Sequence, residues 1–152
     1  MRSVIVIVII GGLVALSLAA GGPQPTGQLT SEGQTREFTE RFLRTLETAR
    51  AFDAFQLLRP VMNDPGTDID QMRNTTDQQI MQARNTYGKS IGHELIDTKR
   101  LGESFIRYDY LFRLERSALH FRIIYYRGRN NYTPVALFFS EDLEQLFYDL
   151  AK

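Results

Sequence analysis

The chain has 152 residues, with 18 Lys and Arg set against 18 Asp and Glu, and no cysteine. The even charge gives no electrostatic reason to expect nucleic acid as a partner. The missing thiols exclude disulfides, cysteine nucleophiles, thiolate zinc sites and a lipid-modified cysteine, so the fold is held by its core alone.

Arg2 stands ahead of an uncharged stretch, Val4 to Ala20, with an apolar centre and small residues at its end. These are the marks of a secretory signal peptide, and Ser17 and Ala19 have the spacing for cleavage after Ala19. The stretch also reaches the lower limit of a bilayer-spanning helix, ~17–25 residues, so an uncleaved N-terminal anchor over residues 4–20 is the competing reading. Both place the rest of the chain across the cytoplasmic membrane, periplasmic or secreted, and with no polybasic patch in the sequence the membrane is expected to be met only through this segment. Residues 21–30 are Gly, Pro and polar for the most part and read as a flexible linker. Residues 31–152 are the length of one ordinary domain.

Ser31 and Gln34 form a capping-box pattern, and Phe38, Phe42, Leu46 and Ala49 recur at helical spacing, which predicts a first helix to about Arg50. A short second helix carries Phe52, Phe55, Leu57 and Leu58 and stops near Arg59, ahead of Pro60. Asn63-Asp64-Pro65-Gly66 is a turn signal. Thr67 or Asp68 then caps a third helix with Ile69, Met72, Thr76, Ile80, Ala83 and Tyr87 on one face, ended by a left-handed Gly88.

Beyond Gly88 the period changes to two. Strands are predicted over 91–99, 105–115, 119–127 and 132–139, with turns at Leu101-Gly102, Arg116-Ser117 and Gly128 to Asn131. Placing Glu115 opposite Ala118 pairs Leu114 with Leu119, Phe112 with Phe121, Tyr110 with Ile123 and Tyr108 with Tyr125, so two apolar rows share one face. The other face holds Arg107, Asp109, Arg113, Glu115, His120 and Arg122, which read equally as a partner surface or as cross-strand ion pairs on a wet sheet face. Pro134 cannot donate to a ladder, so the last strand needs a free edge or a bulge there. Ser140, Glu141 and Asp142 start a terminal helix with Leu143, Leu146, Phe147 and Leu150 on one face, placed to cover what the last strand exposes. The fold class is therefore α+β, with N-terminal helices packed on a curved four-stranded antiparallel sheet and a short C-terminal helix.

The stretch from Tyr87-Gly88-Lys89-Ser90-Ile91-Gly92-His93-Glu94-Leu95-Ile96 through Leu101-Gly102 into the tyrosine-rich strand resembles uncharacterised exported bacterial domains of the nuclear-transport-factor-2-like, or cystatin-like, superfamily. The order of elements is similar too, over roughly Thr30 to Tyr148. That resemblance implies a cone-shaped sheet wrapped round the first helix. It does not choose among isomerases, dehydratases, binding modules and dimerisation domains.

Acid–base enzymes with such a cone place a base and a hydroxyl donor in the pocket. By the pairing above, the inward row offers Tyr108, Tyr110 and Tyr125 but no carboxylate or imidazole. His93 is the residue that would supply a base, yet periodicity does not choose its face, and a core or rim histidine is the plainer alternative. His93-Glu94 begins like H-E-x-x-H, but residue 97 is Asp and the stretch reads as strand, so no metal or other cofactor is expected. Tyr87, Tyr108, Tyr110 and Tyr125 are candidates to line an apolar ligand cavity, against the alternative that they pack the core and bond their hydroxyls within it. The expected function is a non-catalytic exported domain binding a partner protein or a small apolar ligand. The alternative is an acid–base isomerase or dehydratase using His93 with Tyr108 or Tyr110. Homodimerisation through the open sheet face is common in domains of the resembled kind, but alternating charges there disfavour a dry dimer.

Overall fold

In the computed structural model, which describes residues 27–48, 50–62 and 68–150, the Ser31 hydroxyl accepts from the Gln34 amide at 3.3 Å, while the Gln34 side chain reaches back to the Thr30 amide at 2.7 Å. The capping box thus forms one residue wider than drawn from sequence, and it launches α1 (Glu32–Thr48). α2 (Ala51–Leu58) and α3 (Ile69–Tyr87) follow, then β1 (Ser90–Leu101), β2 (Phe105–Leu114), β3 (Ala118–Arg127), β4 (Tyr132–Ser140) and α4 (Leu143–Leu150). The N-terminal segment 1–20, most of the linker, Ala49, and the turn and cap expected at 63–67 lie outside the described residues. Asp68 caps α3, its carboxylate accepting from the Gln71 amide at 2.8 Å.

The four strands form one open antiparallel sheet in the order β1-β2-β3-β4. α1 lies on its inner face and buries Phe38, Phe42, Leu43 and Leu46 together with Thr35 and Thr39. Phe42 sits at the centre, its ring 5.9 Å from Phe121 of β3 and 5.5 Å from Phe55 of α2.

The predicted pairing of β2 with β3 is two residues out. Tyr108 faces Ile123, Tyr110 faces Phe121, Phe112 faces Leu119 and Arg113 faces Ala118. A slip of two leaves every side chain on its predicted face, so alternation alone is blind to it. The turn decides: Leu114 donates to the Ser117 carbonyl, while Glu115 and Arg116 donate to the Lys89 and Tyr87 carbonyls at the α3–β1 junction. That junction turns on Gly88, whose φ of 92° and ψ of −171° are an extended, glycine-only conformation and not the left-handed helical one expected.

β1 carries two irregularities, at Ser90/Gly92 and Leu95/Asp97. The first leaves Ile91 exposed and sets His93 and Leu95 opposite the inward Phe112 and Tyr110. The second switches the alternation, so that Asp97 and Lys99 face outward with Asp109 and Arg107. β4 has both features foreseen for Pro134: it is an edge strand, and the pairing shifts opposite Tyr125.

Two expectations about the outer face need correction. The face is not uniformly wet, because Asp109 and His120 are buried. α4 also sits on it in a different rotation, burying Leu146 while Phe147 is 74% exposed. The cause is polar: Asp149 accepts from Lys99 through its backbone carbonyl (3.3 Å) and meets the Arg122 guanidinium (3.5 Å), which turns Phe147 and Tyr148 outward.

Candidate functional site

α1 brings a polar ladder to the tyrosines of the inner face. The Thr35 hydroxyl donates to the Glu32 carbonyl and the Thr39 hydroxyl to the Thr35 carbonyl, each at 2.8 Å. With its proton so committed, Thr39 Oγ1 accepts from the Tyr125 hydroxyl at 2.8 Å. Tyr108 lies 2.8 Å from Thr35 Oγ1 and donates to the Glu32 carbonyl at 3.1 Å. Burial pushes the ionisation of both phenols above the ordinary tyrosine range. Tyr110 is wholly buried against His93 and Phe121; its hydroxyl has no partner of good hydrogen-bond geometry among the described residues, although the Arg36 guanidinium is near enough to oppose the rise in its pKa. Burial raises its pKa as well, with the charge of Glu40 on α1 adding to the effect. Tyr87 is half-buried and packs against the core from the end of α3. The four tyrosines named from sequence are therefore brought to one face or its rim, and Thr35 and Thr39 engage two of their hydroxyls.

His93 points inward at the rim. Its Nδ1 lies 2.5 Å from Glu47 Oε1 on the last turn of α1, and both side chains are about 15% exposed. The imidazole ring stands edge-on to Tyr110, centroids 5.9 Å apart. Arg84 of α3 donates to the Leu46 and Glu47 carbonyls at 2.6 and 3.2 Å, which caps the end of α1 and fixes the backbone that carries Glu47. A carboxylate on one imidazole nitrogen orients the ring and selects its tautomer, leaving the other nitrogen for proton transfer. An imidazole absent from the row read in β2 and β3 thus enters from β1, with a carboxylate supplied by α1. Glu94 sits on the opposite side of β1 from His93, so the H-E pair does not converge on a metal. Among the described residues there is no group of three or more His, Cys, Asp or Glu that could hold one.

The outer face holds the densest charge. Asp109 Oδ1 accepts from His120 Nε2 at 2.6 Å and from Arg122 Nε at 2.5 Å, and its Oδ2 forms an ion pair with Arg107 Nε at 2.7 Å without hydrogen-bond geometry; Arg107 also reaches Asp97 at 3.3 Å. Burial alone would raise the Asp109 carboxyl, but the His120 and Arg122 hydrogen bonds and the charge of Arg107 hold it below the ordinary carboxylate range. The Arg122 guanidinium and the His120 ring both lie against Phe138.

On the helical side, a groove of about 470 Å³ runs between Gly27–Leu29, the first turns of α1 and the end of α2. Leu29, Phe38, Leu57 and Val61 supply its apolar surface, and Gln34, Glu37, Arg41 and Gln56 rim it. The groove was not foreseen from sequence, since it depends on where Leu29 lies: its carbonyl accepts from Tyr132 at the free edge of β4.

These elements define an α+β domain with N-terminal helices packed on an open four-stranded antiparallel sheet and a short C-terminal helix on its other face. Comparison with protein-family models, with curated proteins and with solved structures finds no match.

Proposed function

We propose that this is an exported, non-catalytic domain of the nuclear-transport-factor-2-like, or cystatin-like, kind that binds a partner protein or a small apolar ligand. The observation that carries the reading is the seating of α1 on the inner face. The helix fills that face with Phe38, Phe42, Leu43 and Leu46, and its threonines bond the Tyr108 and Tyr125 hydroxyls. Hydroxyls held in this way are core, whereas the groove beside α2 presents apolar surface behind a polar rim, the usual make-up of a small-molecule or peptide site. Its residues 4–20 direct the chain across the cytoplasmic membrane and either leave after Ala19 or remain as an anchor.

The test is a titration with a fluorescent fatty acid, comparing the native chain with Leu57→Glu at matched circular dichroism, alongside affinity capture from the exported fraction. Saturable 1:1 binding that weakens at least about tenfold in the variant supports the groove. No saturable ligand, together with no partner displaced by the same substitution, would sink it.

A second reading, an acid–base isomerase or dehydratase, draws on the Glu47–His93 pair beside Tyr110. It requires deuterium exchange next to a carbonyl in some compound of a ketone panel, measured by NMR in D2O and abolished in His93→Gln.

A further inference from the structure

We propose that the end of the sheet formed by the β1–β2 hairpin and the β3–β4 turn rests on a lipid surface. This rests on the reading of residues 4–20 as an anchor that is kept. It goes beyond that reading by giving the folded domain a face toward the bilayer.

Three exposed apolar side chains form one row across three strands on the outer face: Leu101 pairs with Phe105, and Phe105 pairs with Tyr126. They are 75%, 36% and 44% exposed, and the Phe105 and Tyr126 rings are 5.3 Å apart. Among the described residues no helix covers them, since α4 is anchored at Lys99 and Arg122. Aromatic side chains with a polar tip favour the boundary between headgroups and acyl chains. Exposed Arg127 and Arg129 of the adjoining turn outweigh the exposed Glu103 of the β1–β2 hairpin and suit an anionic headgroup layer.

The position of this row relative to the chain's entry is the decisive point. Leu29 is bridged to Tyr132, and Glu32 is paired with Arg100, so the N-terminal segment joins the domain at this same end. A notch lined by Glu32, Arg100, Phe105 and Tyr132 joins the two features directly. Between Ala20 and Gly27 the linker spans at most about 25 Å when fully extended. β1 has 12 residues, roughly 40 Å from end to end. With residues 4–20 in a bilayer, a tether shorter than the sheet holds the entry end against the headgroups. The far end, at Ile91, then points away. An apolar row at the tethered end is thus where a membrane contact would be used, and the chain's lack of tryptophan makes it easy to read.

The experiment uses the full chain reconstituted into vesicles of phosphatidylethanolamine and phosphatidylglycerol, with and without brominated acyl chains. Tyr126→Trp places a single fluorophore in the row, Leu101→Trp is a second probe there should the first variant misfold, and Ile91→Trp is the control at the far end of β1. The proposal expects a blue-shifted emission for the row probe that loses more than about half its intensity to bromolipid, with Ile91→Trp little affected. Chain that sediments with vesicles while the row probe stays unquenched overturns the docking and leaves the anchor standing. Chain that remains in the supernatant overturns both.

Discussion

Asp109 Oδ1 accepts a hydrogen bond from His120 Nε2 at 2.6 Å across β2 and β3, on the sheet face that α4 covers. Arg122 and Arg107 close on the same carboxylate, so one wholly buried acid neutralises two guanidinium charges and also accepts from the imidazole. Removing the acid leaves two guanidinium groups with little water and only the longer contacts of Arg107 to Asp97 (3.3 Å) and of Arg122 to Asp149 (3.5 Å) as counter-charge. Asp109→Asn should cost about 3 kcal/mol of stability, at the lower end for a broken buried pair because both arginines keep some solvent contact. The pH dependence follows from the depressed carboxyl. Its stabilisation is complete above the unfolded-state pKa and is lost as pH falls through the lower folded value. Urea unfolding between pH 2 and 6 should show native stability declining below about pH 4 with a component missing from Asp109→Asn. Parallel acid limbs for the two proteins would contradict this account.

At the α3–β1 junction, Gly88 holds a φ of 92°, and a Cβ there would come 2.2 Å from Glu115 Oε2 and 2.9 Å from Glu115 Cβ. Gly88→Ala should therefore cost about 2 kcal/mol or more, through backbone strain and crowding together. Adding Glu115→Ala removes the carboxylate contact but neither the strain nor the Cβ contact, so thermal melts should recover less than half the loss. Full recovery in the double variant would mean that the backbone conformation is not costly.

The hydroxyl ladder makes an asymmetric prediction. Tyr125→Phe removes a donor and leaves Thr39 still bonded to the Thr35 carbonyl, a loss of about 1 kcal/mol. Thr39→Val instead strands the Tyr125 hydroxyl in a fully buried position and should cost more, roughly 2 kcal/mol. Combining the two should cost less than Thr39→Val alone, because the second change removes the stranded group. Denaturant titration of the three variants checks the order, and simple additivity would show that the hydroxyls act independently.

How far the sequence could be read depended on which signal each feature used. The elements and the sheet's inner face follow from period and punctuation, since the alternating Tyr108, Tyr110, Phe112 and Leu119, Phe121, Ile123, Tyr125 can bury only one way. The β2–β3 register did not follow, because a two-residue slip preserves faces and the choice lies in distant carbonyls at Tyr87 and Lys89. The face of His93 was equally out of reach: it depends on two irregularities in β1, and glycine at 92 is a weak sign of the first. Asp109 and His120 looked like wet-face charges because the rotation of α4 is set by Asp149 meeting Lys99 and Arg122. Glu47 was missed altogether. Thr35, Thr39, Leu43 and Glu47 recur every four residues, a second buried stripe beside Phe38, Phe42 and Leu46, and that spacing was the available signal.

The Glu47–His93 contact separates the two functional readings by experiment. Both side chains are mostly buried, so the pair should couple by about 1 kcal/mol in a cycle of Glu47→Gln, His93→Gln and the double variant, measured by urea unfolding. Coupling of that size is expected whether the pair merely ties α1 to β1 or also moves protons. Tyr110→Phe tells the roles apart. The Tyr110 hydroxyl has no partner of good hydrogen-bond geometry, and the nearby Arg36 is already paired with Glu40, so removing it should change stability by less than about 1 kcal/mol. In a binding domain the substitution should also leave affinity for any groove ligand untouched, since Tyr110 lies on the sheet and the groove between α1 and α2. In an acid–base enzyme, Tyr110→Phe would lower turnover by roughly 10²–10⁴-fold through loss of a positioned donor, despite its intact fold. A stable variant with unchanged ligand affinity and no associated activity favours the binding domain; a stable variant that loses turnover would transfer the function to the His93 rim.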